Sequence, residues 1–233
     1  MSLITAQDLH KTYQMGEVQV QALRGVSFEI EQAKFASFVG PSGSGKTTLL
    51  NLIGCLDQPT DGQLRVIDQE VSVLDYTARA RFRGDHIGFI FQDFNLIPVL
   101  TVYENVEYPL VMVKNVPKEQ RKAKVLSLLD AVGMLDQKDK FPSQISGGQK
   151  QRLATARALT TDPKLVLADE PTANLDHATA YKVIGLMRKL SHEIGTTFVF
   201  STHDTKIVAE VDIIFTLEDG VITDKMIQKG GQS

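Results

Sequence analysis

Lys34-Phe35-Ala36-Ser37-Phe38-Val39-Gly40-Pro41-Ser42-Gly43-Ser44-Gly45-Lys46-Thr47-Thr48-Leu49-Leu50-Asn51-Leu52-Ile53-Gly54 decides the fold. The first six residues read as a short buried strand. The run from Thr47 reads as a helix closed by Gly54, and the turn between them has the pattern of a phosphate-binding loop. Successive main-chain N–H groups of such a turn point into one concavity, and the helix adds the positive end of its dipole. Gly43 and Gly45 have no Cβ, so the chain can take unusual dihedrals and approach a phosphate closely. Lys46 supplies a point charge to β- and γ-phosphates, and the Thr47 hydroxyl is placed to ligate Mg²⁺.

Working outward, the first third is strand-rich. Val26, Phe28 and Ile30 alternate with Ser27 and Glu29, and Gln63-Leu64-Arg65-Val66-Ile67 follows the turn signal Asp61-Gly62. The texture changes near Tyr76. His86-Ile87-Gly88-Phe89-Ile90-Phe91 reads as a buried strand ending at Gln92, and some fifty residues after it read as helical. Pro117 opens one helix there, Val125, Leu128, Leu129 and Val132 give its apolar stripe, and Gly133 closes it. Ser146 and Gln149 have capping-box spacing for a helix running to about Leu159. Strand–helix alternation then returns: Leu165-Val166-Leu167-Ala168, a long helix after His177, and Thr197-Phe198-Val199-Phe200-Ser201. A short helix over 204–210 and a strand from Ile213 to a turn at Asp219-Gly220 complete it. This alternation predicts a mostly parallel sheet, with the helical block as an inserted subdomain. Residues 1–228 read as a single domain, with a core at about 1–92 and 161–228 and the helical block at about 93–160. Residues 229–233 read as a disordered tail.

Composition narrows the class. The chain has 233 residues, 42 % hydrophobic content and a formal charge of −3, which suits a globular protein and gives no electrostatic case for nucleic-acid binding. The run Arg79, Arg81, Arg83 reads as a solvated helix face. Cys55 is the single cysteine, so no internal disulfide can form, and it reads as a small buried apolar residue. No run approaches the ~18 apolar residues of a membrane span, and the start lacks the regions of a signal peptide. The expectation is a cytoplasmic protein; if it serves a membrane, another polypeptide spans it.

Four further polar groups stand out. Asp169-Glu170 directly follows the apolar run 165–168, where ligands bind in open α/β sheets. Asp169 is suited to the Mg²⁺ shell and Glu170 to orienting and deprotonating a water. His203 follows a second such strand, within reach of a γ-phosphate. Tyr13 offers an aromatic face for a base. Ser146-Gly147-Gly148 at a helix start is either an ordinary capped helix or a second anion site.

Together these residues resemble the ATP-binding cassette (ABC) ATPases over nearly the whole chain. Gly40, Pro41, Ser42, Gly43, Ser44, Gly45, Lys46 and Thr47 match the Walker A loop, with Thr48 after it. Tyr13 stands at the adenine-stacking position and Gln92 at the Q-loop position, where the family's glutamine touches Mg²⁺ and reports nucleotide state. Ile145-Ser146-Gly147-Gly148-Gln149 resembles the signature motif, with Ile145 where Leu is usual; Asp169-Glu170 resembles the Walker B pair, Asn174-Leu175-Asp176 the D-loop, and His203 the switch histidine. The resemblance implies a P-loop NTPase (RecA-like) α/β core with an N-terminal antiparallel β subdomain and an inserted α-helical subdomain. It also implies ATP and Mg²⁺ as ligands, and a homodimer in which Ser146, Gly148 and Gln149 act in trans on the partner's ATP. The stretches 89–98, 101–110 and 167–176 are similar to lipoprotein-releasing and macrolide-exporter ATPases, although Ala173 replaces a common Gly. That implies a separate transmembrane permease, export or extraction work, and a peripheral place on the inner face of the membrane. A regulatory cassette of the cell-division type is the alternative. A soluble cassette of translation or DNA repair fits less well, because there is one cassette and no basic face. The apolar segment 94–100 is either buried within the helical block or, as the resemblance implies, lines a groove for a permease helix with Leu96 as its contact.

Overall fold

The computed structural model describes residues 2–203 and 211–228; the expected helix at 204–210 and the tail at 229–233 lie outside the described residues. Ten strands and six α-helices are found among the described residues, in two sheets. The smaller is antiparallel. β1 (Ser2–Met15) and β2 (Val18–Glu31) form a long hairpin, and β4 (Asp61–Val66) pairs with the other edge of β1, followed by the two-residue β5 (Gln69–Glu70).

The larger sheet runs β10-β9-β3-β8-β7-β6. β3 (Phe35–Val39), β6 (Ile87–Ile90), β7 (Leu165–Asp169), β8 (Thr197–Thr202) and β9 (Ile213–Glu218) are parallel, and β10 (Val221–Ile227) returns antiparallel at one edge. All five residues of β3 are buried, as a strand covered on both faces requires. Neighbouring side chains point to opposite faces, so the sheet divides its apolar residues between two cores. Phe35, Val166, Phe198 and Phe200 face one cluster, and Ala36, Phe38, Leu167, Val199 and Phe215 face the other, against the antiparallel sheet. Phe38 stacks on Phe215 at 5.3 Å and meets Phe28 of β2 edge-on at 5.2 Å.

α1 (Lys46–Ile53) leaves the loop after β3, and α2 (Tyr76–His86) leads into β6. The inserted helices are α3 (Val102–Met112), α4 (Lys118–Ala131) and α5 (Gly147–Leu159), with α6 (His177–Ile194) following β7. The expected stripe on α4 is realised: Val125 and Leu129 are fully buried, Leu128 packs against the cluster, and Val132, the capping residue after Ala131, is buried in it. The capping box of α5 is present. The Ser146 hydroxyl accepts the Gln149 N–H at 3.3 Å, and Gln149 Oε1 accepts the Ser146 N–H at 2.8 Å. Thr101 and Glu104 form a second such box on α3. At its far end α5 lies against β6 main chain to main chain: a Cβ on Gly88 would stand 2.3 Å from the Ala158 carbonyl oxygen. That contact admits only glycine.

Candidate functional site

Three neighbouring parallel strands, β3, β8 and β7, end on one side of the sheet, and the loops leaving them carry the polar groups. They border a cavity of about 700 Å³ lined by Pro41, Ser42, Gly43, Gly45, Lys46, Thr47, Thr48, Gln92, Glu170 and His203, with Val20, Gln21 and Ala22 of β2 and Ala173.

The loop takes the form its glycines allow. Gly43 has φ +81° with open space where a Cβ would be, and Gly45 has φ +103° with the Ala22 carbonyl 2.5 Å from that point. A side chain at Gly43 would fill the cradle; one at Gly45 would collide with β2. Lys46 is buried, and its ammonium donates to the carbonyls of Gly40 (2.8 Å) and Pro41 (2.9 Å) while lying 3.8 Å from Glu170 Oε1. The Ser44 hydroxyl turns inward, buried and with no hydrogen-bond partner.

The acidic pair is held from β8. Asp169 lies opposite Ser201 in the ladder, and the Ser201 hydroxyl donates to Asp169 Oδ1 at 2.6 Å while accepting the Glu170 N–H at 2.9 Å. Thr47 donates to the same Asp169 oxygen at 3.2 Å. Glu170 has φ +45°, a left-handed conformation costing a non-glycine residue about 1 kcal/mol. The Ser201 bond and the Ala173 N–H to the Glu170 carbonyl, at 3.2 Å, hold it there. His203 Nδ1 lies 2.9 Å from Glu170 Oε2. Thr47 and Asp169 therefore present hard oxygen donors together. Such a pair, completed by phosphate oxygens and water, fits Mg²⁺, which rarely takes an all-protein cage.

The remaining expected residues lie around this centre. Gln92 lines the cavity, and its carbonyl accepts the Asn174 side-chain N–H at 3.0 Å. Asp176 caps α6, accepting the Thr179 N–H at 3.0 Å. Beyond Gln92 the chain takes two left-handed residues, Phe94 (φ +62°) and Asn95 (φ +44°). Their carbonyls accept from the Arg157 guanidinium of α5 at 2.7 and 2.5 Å. Ser146, Gly148 and Gln149 are outside the cavity; they line a separate one of about 630 Å³ with Arg152, Thr179 and Lys182. Tyr13 is not on the cavity wall either. It stands opposite Val20 in the hairpin ladder, and its hydroxyl donates to Asp57 Oδ2 at 2.9 Å.

One expectation needs correction, and one residue was missed. Leu96 does not line a groove: it packs with Phe94 against the core of the helical block. A groove of about 340 Å³ does exist beside it, lined by Asn95, Ile97, Tyr108, Pro109 and Val113 with Phe89 and Phe91. Ser201 was not among the expected site residues. Its signal was a polar side chain ending an apolar strand beside the one that ends in Asp169.

A glycine-rich loop between a parallel strand and a helix, with carboxylates at the end of a nearby strand, defines a P-loop nucleotide-binding protein. The profile of the ABC transporter family matches residues 23–173, and the chain belongs to that family. It is 48 % identical over 215 residues to an uncharacterized ABC transporter ATP-binding protein of Thermotoga maritima, covering 92 % of this chain and 91 % of that one. It is 41 % identical to the lipoprotein-releasing system ATP-binding protein LolD of Pseudoalteromonas translucida, covering 97 % of both. The macrolide export ATP-binding/permease protein MacB of Syntrophobacter fumaroxidans is 44 % identical over 95 % of this chain, which spans 31 % of that longer protein. Among solved structures, the dimeric ABC transporter cassette MJ0796, a protein of Methanocaldococcus jannaschii, superposes with a TM-score of 0.89 at 41 % identity, over 98 % of this chain and 100 % of that one. A second dimeric structure of that cassette is bound to ADP and phosphate. Family membership implies ATP binding and hydrolysis.

Proposed function

We propose that the chain is the ATP-hydrolysing subunit of an ABC export or extraction system, dimerising on ATP to drive a separate membrane subunit. Among the described residues no helix is long and apolar enough to cross a membrane. The chain's likeness to LolD over 97 % of both chains, and to the corresponding third of MacB, supports the export or extraction class.

The observation that carries the catalytic reading is the meeting of Lys46, Glu170 and His203 at the ends of adjacent strands. The loop's main-chain N–H groups receive the ATP phosphates, and Lys46 exchanges its loop carbonyls for them. Thr47 and Asp169 would hold Mg²⁺, with Gln92 beside them; when bound, the ion neutralises charge on the phosphates. Glu170 accepts the proton of the attacking water. His203, in contact with Glu170, orients that carboxylate and reaches toward the γ-phosphate. Ser146, Gly148 and Gln149 serve the partner's ATP, the anion-binding N-terminus of α5 completing each site in trans.

Glu170→Gln tests the base. The amide keeps the shape and cannot accept the proton, so turnover falls roughly 10²–10⁴-fold while ATP binding, followed by equilibrium titration, survives. Turnover within about tenfold of the unchanged protein would remove Glu170 from the role.

A further inference from the structure

Lys11, Tyr13 and Asp57 form one bonded cluster beside the hairpin residues Val20–Ala22 that line the nucleotide cavity. The Lys11 ammonium lies over the Tyr13 ring, 4.8 Å from its centroid. The same ammonium donates to Asp57 Oδ1 at 2.7 Å and to the Gln58 carbonyl at 2.8 Å. Asp57 is bonded through both oxygens: Oδ1 also accepts the Gln58 N–H at 2.7 Å, and Oδ2 accepts the Tyr13 hydroxyl at 2.9 Å. Burial works to raise the Asp57 carboxyl, but the bonds from Lys11, Gln58 and Tyr13 outweigh it and hold it below its ordinary value. The Lys11 side chain is only 12 % exposed, so its charge is partly withdrawn from water, where a cation over a ring is worth more than on an open surface.

Two consequences follow for the ring. Its hydroxyl is tethered and one face is covered, so a flat ligand can stack only on the other. Val20, the direct partner of Tyr13 in the ladder, lines the cavity wall, and paired residues share a face of the sheet. The tether is also short. Asp57 follows α1 by a few residues, its N–H bonded to the Asn51 carbonyl at 3.3 Å, and α1 begins at Lys46 of the phosphate loop.

We propose that Lys11 and Asp57 are positioning residues that hold the Tyr13 ring as a preformed platform for the base of the bound nucleotide, at a fixed span from the phosphate loop. The proposal rests on the reading of Tyr13 as the base-stacking residue. A platform already in place spares the nucleotide the cost of ordering it. Removing the cation also leaves Asp57 without its main partner and frees the tether.

The test compares dissociation constants of the full chain for ATP and for tripolyphosphate, which has the phosphates and no base. Tyr13→Ala and Lys11→Met should each weaken ATP about three- to tenfold, the scale of a partly desolvated cation–ring contact, and leave tripolyphosphate within about twofold. Asp57→Asn should act in the same direction. Lys11→Arg, whose guanidinium also stacks on rings, should restore ATP affinity. The Tyr13→Ala, Lys11→Met double variant should be no weaker than Tyr13→Ala alone. If Tyr13→Ala weakens ATP while Lys11→Met and Asp57→Asn do not, the platform stands and the positioning role is overturned. If Tyr13→Ala spares ATP, the base-stacking reading falls and the proposal with it. Equal losses for ATP and tripolyphosphate would mark a general structural role and overturn the proposal as well.

Discussion

Ser201 holds Asp169 and, through the same oxygen, the backbone of Glu170: one hydroxyl donates to the first at 2.6 Å and accepts from the second at 2.9 Å. Two carboxylates, one ending β7 and one just after it, thus take their geometry from a residue on β8. Ser201 is fully buried, so both bonds form away from water, and each deleted partner leaves a polar group unsatisfied.

Ser201→Ala should therefore lower stability by about 1–3 kcal/mol and turnover by more than that loss explains, because Glu170 loses the bond that holds its left-handed backbone. Denaturant unfolding and steady-state ATPase rates measured well below the unfolding midpoint separate the two effects. Unchanged turnover in the folded variant would show that Glu170 keeps its place without Ser201.

The trans arrangement is tested with mixed dimers. Ser146→Arg and Lys46→Ala chains should each fail alone. Together they leave one composite site with Lys46 from the first chain and Ser146 from the second. Differently tagged chains allow that heterodimer to be isolated, and it should trap ATP at the one intact site. Heterodimers that trap none would remove support for the signature helix acting across the interface.

The groove beside β6 gives a third test. Ile97 and Tyr108 line it, while Leu96 is half-buried and packs against the core. Ile97→Asp should leave ATP binding by the isolated chain intact and reduce co-purification of the membrane subunit. Leu96→Asp should instead lower the melting temperature of the isolated chain. If the Ile97→Asp complex assembles with full ATP-driven activity, the membrane subunit docks elsewhere.

Cys55 gives a pH-dependent prediction. Burial pushes its thiol up from 9.0 to about 11, against the opposing pull of Arg83 and Arg79. The native thiol stays neutral at pH 8 and should resist alkylation until the protein unfolds. Between pH 9 and about 11 the unfolded thiol ionises while the folded one does not, so the unfolded state binds fewer protons and stability falls as pH rises. Unfolding curves across that range should show the decline, and Cys55→Ala should flatten it.

How much of this was legible depends on sequence distance. The phosphate loop and the α5 capping box are contiguous in the chain, and their spacing alone gives their geometry. The strands carrying Asp169 and Ser201 were readable as apolar runs. That they are neighbours is a fact of sheet order, so Ser201 showed only as a polar residue in a hydrophobic context. Lys11 and Asp57 are 46 residues apart and share no pattern. Leu96 and Ile97 are adjacent, and whether one or the other faces the groove is set by the left-handed turn at Phe94 and Asn95, which no hydrophobic periodicity reports. β1 was not read as a strand, and its pairing with β2 is interrupted by register shifts near Leu9 and Lys11.

The close packing of Gly88 on Ala158 fixes one end of α5, and the Arg157 clamp on the loop after Gln92 lies at that same end. Ser146 is at the other. A helix of 13 residues is about 20 Å long, so a tilt of about 10° around the glycine contact moves its N-terminus roughly 3 Å. That displacement is enough to make or break a hydrogen bond. α5 is in this sense a lever with its fulcrum at the sheet edge: a tilt small enough to leave the Arg157 clamp almost in place is largest at Ser146.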